Sequence, residues 1–151
     1  MEFSSIYQEL QNSTAIIRAL LAGVAPEAAR LKPSAQAWSI LEVICHLHDE
    51  EREDFREHLD FILHRPKEEW HVIDTVGWVI QRKYNEQNFV EMQEKFFAER
   101  EKSLSWLSGL RDPDWEKTYT TNTAPSVQER CLPVGPPMTI STSANWWNSG
   151  A

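Results

Sequence analysis

Apolar residues recur at spacings of three, four and seven along three long stretches of the chain, as they do on a helix face that packs against a core. In order, they are Ile6, Leu10, Ile17, Leu20, Leu21 and Val24; Ile40, Ile44, Leu47, Phe55, Leu59 and Ile62; and Phe89, Met92, Phe96, Leu107 and Leu110. The strict alternation of a half-buried strand is not found over any useful length. The pattern therefore predicts an all-α protein.

The second of these helices carries the clearest boundary signals. Ser39 followed by Glu42 is a capping box, and Pro66 cannot continue a helix. We predict a helix from about Ser39 to Leu63. Its acidic run, which we expect to be a solvated face with local ion pairs, comprises Asp49, Glu50, Glu51, Arg52, Glu53 and Asp54.

The first and third helices have weaker start signals. Ser5 with Gln8 resembles a capping box, and Asn88 with Glu91 supplies a cap for the third helix, which Gly109 ends. Between the second and third helices, Val76, Val79 and Ile80 predict a short helix across one end of a bundle.

Three amphipathic helices leave one flank of the core uncovered, and a four-helix bundle is the natural completion. The fourth helix is expected after Trp115, yet residues 122–151 hold four of the eight prolines and only Glu129 and Arg130 as charges. We therefore predict a bundle of three main helices over residues 1–121 and an irregular tail over residues 122–151. The predicted fold is therefore an up-down four-helix bundle in which the fourth helix is missing or is replaced by that tail.

Charge and composition exclude several function classes. The net charge of −8 disfavours a nucleic-acid partner, because nucleic-acid affinity comes largely from clustered Lys and Arg. The sequence shows no apolar run of the ~20 residues that a membrane span needs, and no export signal opens it. With only Cys45 and Cys131, we expect reduced thiols and a cytoplasmic location.

Residues 38–51 read Trp-Ser-Ile-Leu-Glu-Val-Ile-Cys-His-Leu-His-Asp-Glu-Glu. This segment resembles the DinB-like family of bacterial four-helix bundles, in which a Trp-Ser pair opens the second helix and His-Leu follows about two turns later. The resemblance continues through Arg82-Lys83-Tyr84-Asn85, through Arg100 to Leu110 and through Asp114-Trp115. It covers residue 1 to about residue 121.

The resemblance implies a metal site of three histidines, one of which matches His46 while the other two form a His-x-x-x-His pair on the fourth helix. Residues four apart share a helix face, and neutral imidazoles suit Zn or Ni. Three ligands leave a coordination position open for water or a thiol. Family members include metal-dependent hydrolases and transferases that use low-molecular-weight thiols, which implies a small-molecule or thiol substrate. No catalytic residue beyond the metal ligand can be assigned.

The other candidate side chains have simpler interpretations. Without the resemblance, a lone histidine in an acidic helix such as His46 would be read as a surface residue. We expect His48 at the edge of the core, and Cys45 as a buried apolar filler, because the sequence gives no evidence of a helper base that would activate its thiol. The remaining histidines, expected at the surface, are His58, His64 and His71.

The sequence contains no histidine after His71, so two of the three metal ligands are absent. A thiolate from Cys131 could substitute in principle, but nothing positions it. We therefore expect metal binding to be weak or absent, although the family implies a metal-dependent hydrolase or thiol transferase. The alternative is a catalytically inactive helical scaffold or association module, which could form a homodimer through the apolar surface that a fourth helix would cover.

The genetic code offers an origin for the tail. Codons permitted for residues 138–149, read one base earlier, spell His-Asp-His-Leu-His-Ile-Arg-Gln-Leu-Val-Glu-Leu, which resembles the family's metal-binding fourth helix. Met138-Thr139 forces the Asp and the run Asn-Trp-Trp-Asn at 145–148 forces Leu-Val-Glu, whereas the His codons are only permitted. We hypothesise a frameshift between about residues 121 and 137, from a natural mutation or a sequencing error.

Overall fold

The structure, a computed structural model, describes residues 3–69, 73–111 and 113–114. All regular secondary structure in these residues is helical, which confirms the all-α prediction. The elements are α1 (Phe3–Leu21), α2 (Pro26–Ala29), α3 (Ile40–Asp49), a π-helical segment (Glu50–Phe55), α4 (Arg56–His64), α5 (Thr75–Gln81), a 3₁₀ turn (Tyr84–Glu86) and α6 (Phe89–Gly109). The tail predicted for residues 122–151 lies outside the described residues.

The described residues fall into two compact units. Residues 3–57 and 73–110 form the first unit, and residues 58–69, 111 and 113–114 belong to the second. In the first unit α3 packs on α6, and α1 packs on the same helix. Its core consists of Leu21, Ala29, Leu41, Ile44, Cys45, Trp78, Tyr84, Phe89, Met92, Phe96 and Phe97.

Local capping signals set the starts of α3 and α6 as predicted. The Ser39 hydroxyl accepts a hydrogen bond from the Glu42 backbone N–H, and the Glu42 carboxylate accepts one from the Ser39 N–H. At α6, the Asn88 side chain accepts a bond from the Glu91 N–H. Helix α1 differs from its prediction, because it begins at Phe3 rather than near Ser5.

The segment after α3 departs from the predicted regular helix. α3, the π-helical segment and α4 follow one another without a loop from Ile40 to His64, close to the predicted bounds. A π-helix has more residues per turn than an α-helix, so the regular helical spacing predicted for this stretch does not hold within the π-helical segment. Phe55 and Leu59 are only half-buried, whereas the consecutive residues Phe61, Ile62 and Leu63 are all buried.

The acidic run on this helix is not the solvated face that its composition predicts. Asp49 and Glu51 are buried, with 5% and 4% of their surface exposed. Each carboxylate is paired with an arginine that lies elsewhere in the chain, Arg82 for Asp49 and Arg100 for Glu51. The prediction was wrong for these two residues because their partners are distant in sequence.

Candidate functional site

His46 lies on α3 about two turns after the Ser39 cap, with 23% of its side chain exposed. The Trp38 ring packs edge-on against its imidazole, with ring centroids 4.8 Å apart. The Nδ1 atom is enclosed and has no hydrogen-bond partner among the described residues. The Nε2 atom lies 3.6 Å from a carboxyl oxygen of Glu50, one turn later on the same face. One ring nitrogen is thus enclosed, and the other faces a carboxyl group.

Burial lowers the pKa of His46 below its ordinary value, although the charges of Asp49 and Asp54 act in the opposite direction. The neutral imidazole is therefore the favoured form near neutral pH. This is also the form that binds a metal ion, because a protonated ring has no lone pair to donate.

Glu50 is the carboxyl group closest to the His46 ring. Burial, a hydrogen bond with Asp54 and repulsion from that second carboxylate raise the pKa of Glu50 to about 8. Two carboxyl groups that close together cannot both ionise easily, so they share a proton near neutral pH. The site therefore has a neutral imidazole beside a carboxyl pair that holds a proton.

A network of charged side chains fixes the start of the π-helical segment next to this site. The Asp49 carboxylate accepts a 2.6 Å hydrogen bond from the Tyr84 hydroxyl and lies 2.6 Å from Arg82. Arg82 also donates to both oxygens of Glu53, over 3.0 and 2.8 Å. These bonds hold the pKa of Glu53 at about 2, and burial beside Asp49 raises the pKa of Tyr84.

A second buried pair joins the same segment to α1 and α6. Arg100 lies 2.8 Å from Glu51 and donates a 3.1 Å hydrogen bond to the Ser13 hydroxyl. One turn further, Arg56 donates to Glu99 and to Ser103, both on α6. The chain around Glu50 is therefore fixed from α6 as well as from the 3₁₀ turn.

The start of α3 is fixed by the segment that includes Tyr84. The Ser39 hydroxyl donates to the Asn85 side chain over 2.7 Å, and the Asn85 amide donates to the Arg30 carbonyl. In return, the Arg30 guanidinium donates to the backbone oxygens of Asn85 and Gln87. The Trp-Ser and Tyr-Asn motifs of the sequence are thus in contact, and together they fix the start of the helix that carries His46.

The remaining candidates are not brought to His46 as further ligands. His48 is buried, as predicted for a core-edge residue. Cys45 is fully buried, and burial raises the pKa of its thiol to about 12, which suits an apolar filler rather than a nucleophile. His64 is exposed and paired with Asp60, whereas His58 is half-buried rather than exposed as expected. His71 and Cys131 lie outside the described residues.

The residues present fit a three-histidine metal site only in part. Within residues 3–69, 73–111 and 113–114, no group of three or more His, Cys, Asp or Glu side chains is arranged to hold a metal ion. His46 fits as a single ligand, because its imidazole is neutral and its Nδ1 atom is unpartnered. The complete three-histidine set does not fit, since the sequence has no histidine after His71.

The sequence profile of the DinB superfamily matches residues 9–149. The chain belongs to the DinB superfamily. The match contains the motif around His46 and the two segments that pair with it, around Arg82 and around Arg100. It extends beyond residue 121, where the resemblance from individual motifs ends. Comparisons with curated proteins and with solved structures give no match. In this DinB-superfamily chain, no helix among the described residues is long and apolar enough to cross a membrane.

The sequence did not single out Glu50, Asp54 or Arg82 as part of the site. A signal for Glu50 was present, since it lies four residues after His46 and therefore on the same helix face. For Arg82 the available signal was its position in the Arg-Lys-Tyr-Asn motif. Its pairing with Asp49 is a contact between distant segments, which a local pattern does not encode.

Proposed function

We propose that this chain derives from the metal-dependent hydrolases or thiol transferases of its superfamily and retains one ligand, His46, of a three-histidine site that it does not complete. The enclosed, unpartnered Nδ1 atom and neutral ring of His46 carry the proposal, together with the lack of any histidine after His71. As written, the chain is then a catalytically inactive helical bundle.

A complete site would use the metal as a Lewis acid to activate water or a low-molecular-weight thiol. In this chain, His46 would contribute one imidazole, against which the Trp38 ring packs edge-on. The network on Asp49 holds the backbone of this region in place. No catalytic step is assigned, because the remaining ligands are absent.

The proposal includes the frameshift as the origin of the missing ligands. In the other frame, residues 138–149 would read His-Asp-His-Leu-His-Ile-Arg-Gln-Leu-Val-Glu-Leu, with histidines at a spacing of four. The nucleotide sequence tests this origin directly. A gene that lacks CAT GAC and the later CAC in that frame would rule it out.

Metal analysis tests the function. A restored-frame variant, in which residues 138–149 are replaced by the sequence from the other frame, should retain about one Zn or Ni per chain after dialysis. His46→Ala should abolish that metal, whereas His64→Ala, which removes an exposed histidine, should leave it. The unmodified chain should retain none. One metal ion per unmodified monomer, lost on His46→Ala, would contradict the proposal.

A second candidate function is an association module, favoured by large apolar side chains at the surface. Leu20, which the sequence places in the core stripe, is 71% exposed. Val76 and Ile80, one turn apart on α5, are 69% and 82% exposed. Sedimentation equilibrium in a chelating buffer tests this candidate, because a metal-independent dimer or larger species would favour it.

A further inference from the structure

We propose that a groove between α1 and α6 binds a free amino acid with an apolar side chain. The groove has a volume of about 330 Å³, which lies within the range of small-molecule sites. Its lining includes Arg18 from α1 and Val90, Glu94, Phe97 and Glu101 from α6. The proposed binding needs neither the His46 site nor the tail, so it is independent of the proposed function.

Arg18 is placed to bind the carboxylate of such a ligand. The central carbon of its guanidinium lies 3.9 Å from the centre of the Phe97 ring. A guanidinium that packs on an aromatic face keeps N–H groups available, and their planar arrangement matches the two oxygens of a carboxylate. Arg18 is exposed and forms no ion pair with any residue that the structure describes. Its charge is therefore held over Phe97 and is available to an anion.

Two carboxylates of α6 line the same groove as Arg18. Glu94 lies three residues before Phe97 and Glu101 four residues after it, so all three share one helix face. Within the described part of the chain, neither glutamate forms an ion pair, although Arg18 lines the groove with them. A molecule that carries both charges can join opposite charges that share a groove without pairing. A ligand with a carboxylate for Arg18 and an ammonium group for a glutamate therefore fits the groove.

Val90 favours Glu94 as the partner of the ammonium group. Val90 lies four residues before Glu94 on the same helix face, and it is 53% exposed although it is apolar. The equivalent position after Glu101 is Ser105, which is polar. An amino acid whose ammonium group binds Glu94 can thus place its side chain on Val90. This contact favours an apolar side chain over glycine, because it removes apolar surface from water.

The affinity of the groove should be modest. Arg18 and Glu94 are both exposed, so solvent screens the charges that would bind the ligand. We expect a dissociation constant on the order of 1 mM for L-leucine, in the weak part of the range for specific ligands. Sodium chloride at about 0.5 M should weaken binding several-fold, because added salt shortens the distance over which charges attract.

Titration of the full chain with L-leucine, followed by ¹H–¹⁵N NMR, tests the proposal. Leucine should cause saturable shifts of the backbone signals of α6 around Phe97. Two further probes each lack one charge of leucine: 4-methylpentanoate has no ammonium group, and 3-methylbutylamine has no carboxylate. Each should bind at least about threefold more weakly than leucine, as expected for the loss of one exposed ion pair. Glycine, which lacks the apolar side chain, should also bind more weakly.

Substitutions identify the groups that bind each end of the ligand. Arg18→Met keeps an apolar stem over Phe97 without the guanidinium, and Glu94→Gln removes one charge at nearly constant size. Each should weaken leucine binding at least about threefold. Glu101→Gln is the matched control from the same groove and should bind leucine as the unmodified chain does.

Three results would overturn the inference: equal binding of leucine and 4-methylpentanoate, unchanged leucine binding in both Arg18→Met and Glu94→Gln, or shifts confined to residues outside the groove. A loss of binding in Glu101→Gln rather than in Glu94→Gln would overturn the position assigned to the ammonium group. The NMR spectrum of each variant without ligand verifies that it folds. Retained metal in the restored-frame variant bears on the proposed function alone, so the two proposals can fail separately.

Discussion

At the scale of single residues, the site depends on how each carboxyl group is partnered. Glu50 and Asp54 share a proton, whereas Glu53, three residues after Glu50, receives two hydrogen bonds from Arg82 and one from Arg52. Opposite pKa shifts thus occur within one turn of the same segment, upward for Glu50 and downward to about 2 for Glu53. The partner of each group, rather than its residue type, decides its protonation state.

Glu53 should make the stability of the chain sensitive to acid. Its folded pKa of about 2 lies below its ordinary value of 4.5, so it stabilises the fold above pH 4.5, and this contribution is lost as the pH falls towards 2. In Glu53→Gln, the urea midpoint should therefore change less between pH 5 and pH 2.5 than in the unmodified chain.

The matched control for that prediction is Glu86→Gln. The Glu86 side chain is 70% exposed and has a single lysine partner, so solvent screens its interaction. Its urea midpoint should follow the pH profile of the unmodified chain. An equal loss of acid sensitivity in both variants would show that the Arg82 pair does not cause it.

At the scale of elements, the sequence predicted where α3 and α6 begin, because local capping signals determine these positions. The caps at Ser39 and Asn88 act within four residues, so they could be read directly, and α3 and α6 begin where those caps place them. The burial of Asp49 and Glu51 depends on Arg82 and Arg100, which are 33 and 49 residues away. No spacing rule encodes such pairs. The π-helical segment likewise has distant partners, because it packs on α6 and its Glu53 is hydrogen-bonded to Arg82.

The Glu51–Arg100 pair should be the most costly single contact between elements to break. Arg100→Met would leave Glu51, 4% exposed, as a buried charge without its ion-pair partner, which costs about 3–5 kcal/mol in proteins. The double variant Glu51→Leu/Arg100→Met should recover most of that loss, because apolar side chains replace both charges. Urea unfolding of the single and double variants measures the difference.

The control for the Arg100→Met prediction is Lys95→Met, which breaks an exposed ion pair within α6. Lys95 and Glu91 lie one turn apart with 48% and 57% of their side chains exposed, and such pairs contribute about 0.3–0.5 kcal/mol. If Arg100→Met lowers the free energy of unfolding no more than Lys95→Met does, burial does not increase the contribution of the Glu51–Arg100 pair to stability.

At the scale of the whole molecule, two observations bear on the tail in opposite directions. Its composition, with four prolines and only two charges in residues 122–151, differs from that of the helices before it. The superfamily match nevertheless extends to residue 149. If the tail results from a frameshift, it contributes no native packing, and the apolar positions that a fourth helix would cover stay in water.

Removing the tail should therefore have little effect on stability. A variant that ends at residue 121 should unfold in urea within about 0.5 kcal/mol of the unmodified chain, the usual range for substitutions away from packed residues. The restored-frame variant should unfold at higher urea concentration than either, because a helix that packs on exposed apolar surface adds about 1.5–3 kcal/mol for each large side chain it buries. A truncated chain several kcal/mol less stable than the unmodified one would show that residues 122–151 pack as written, and the frameshift would then not explain them.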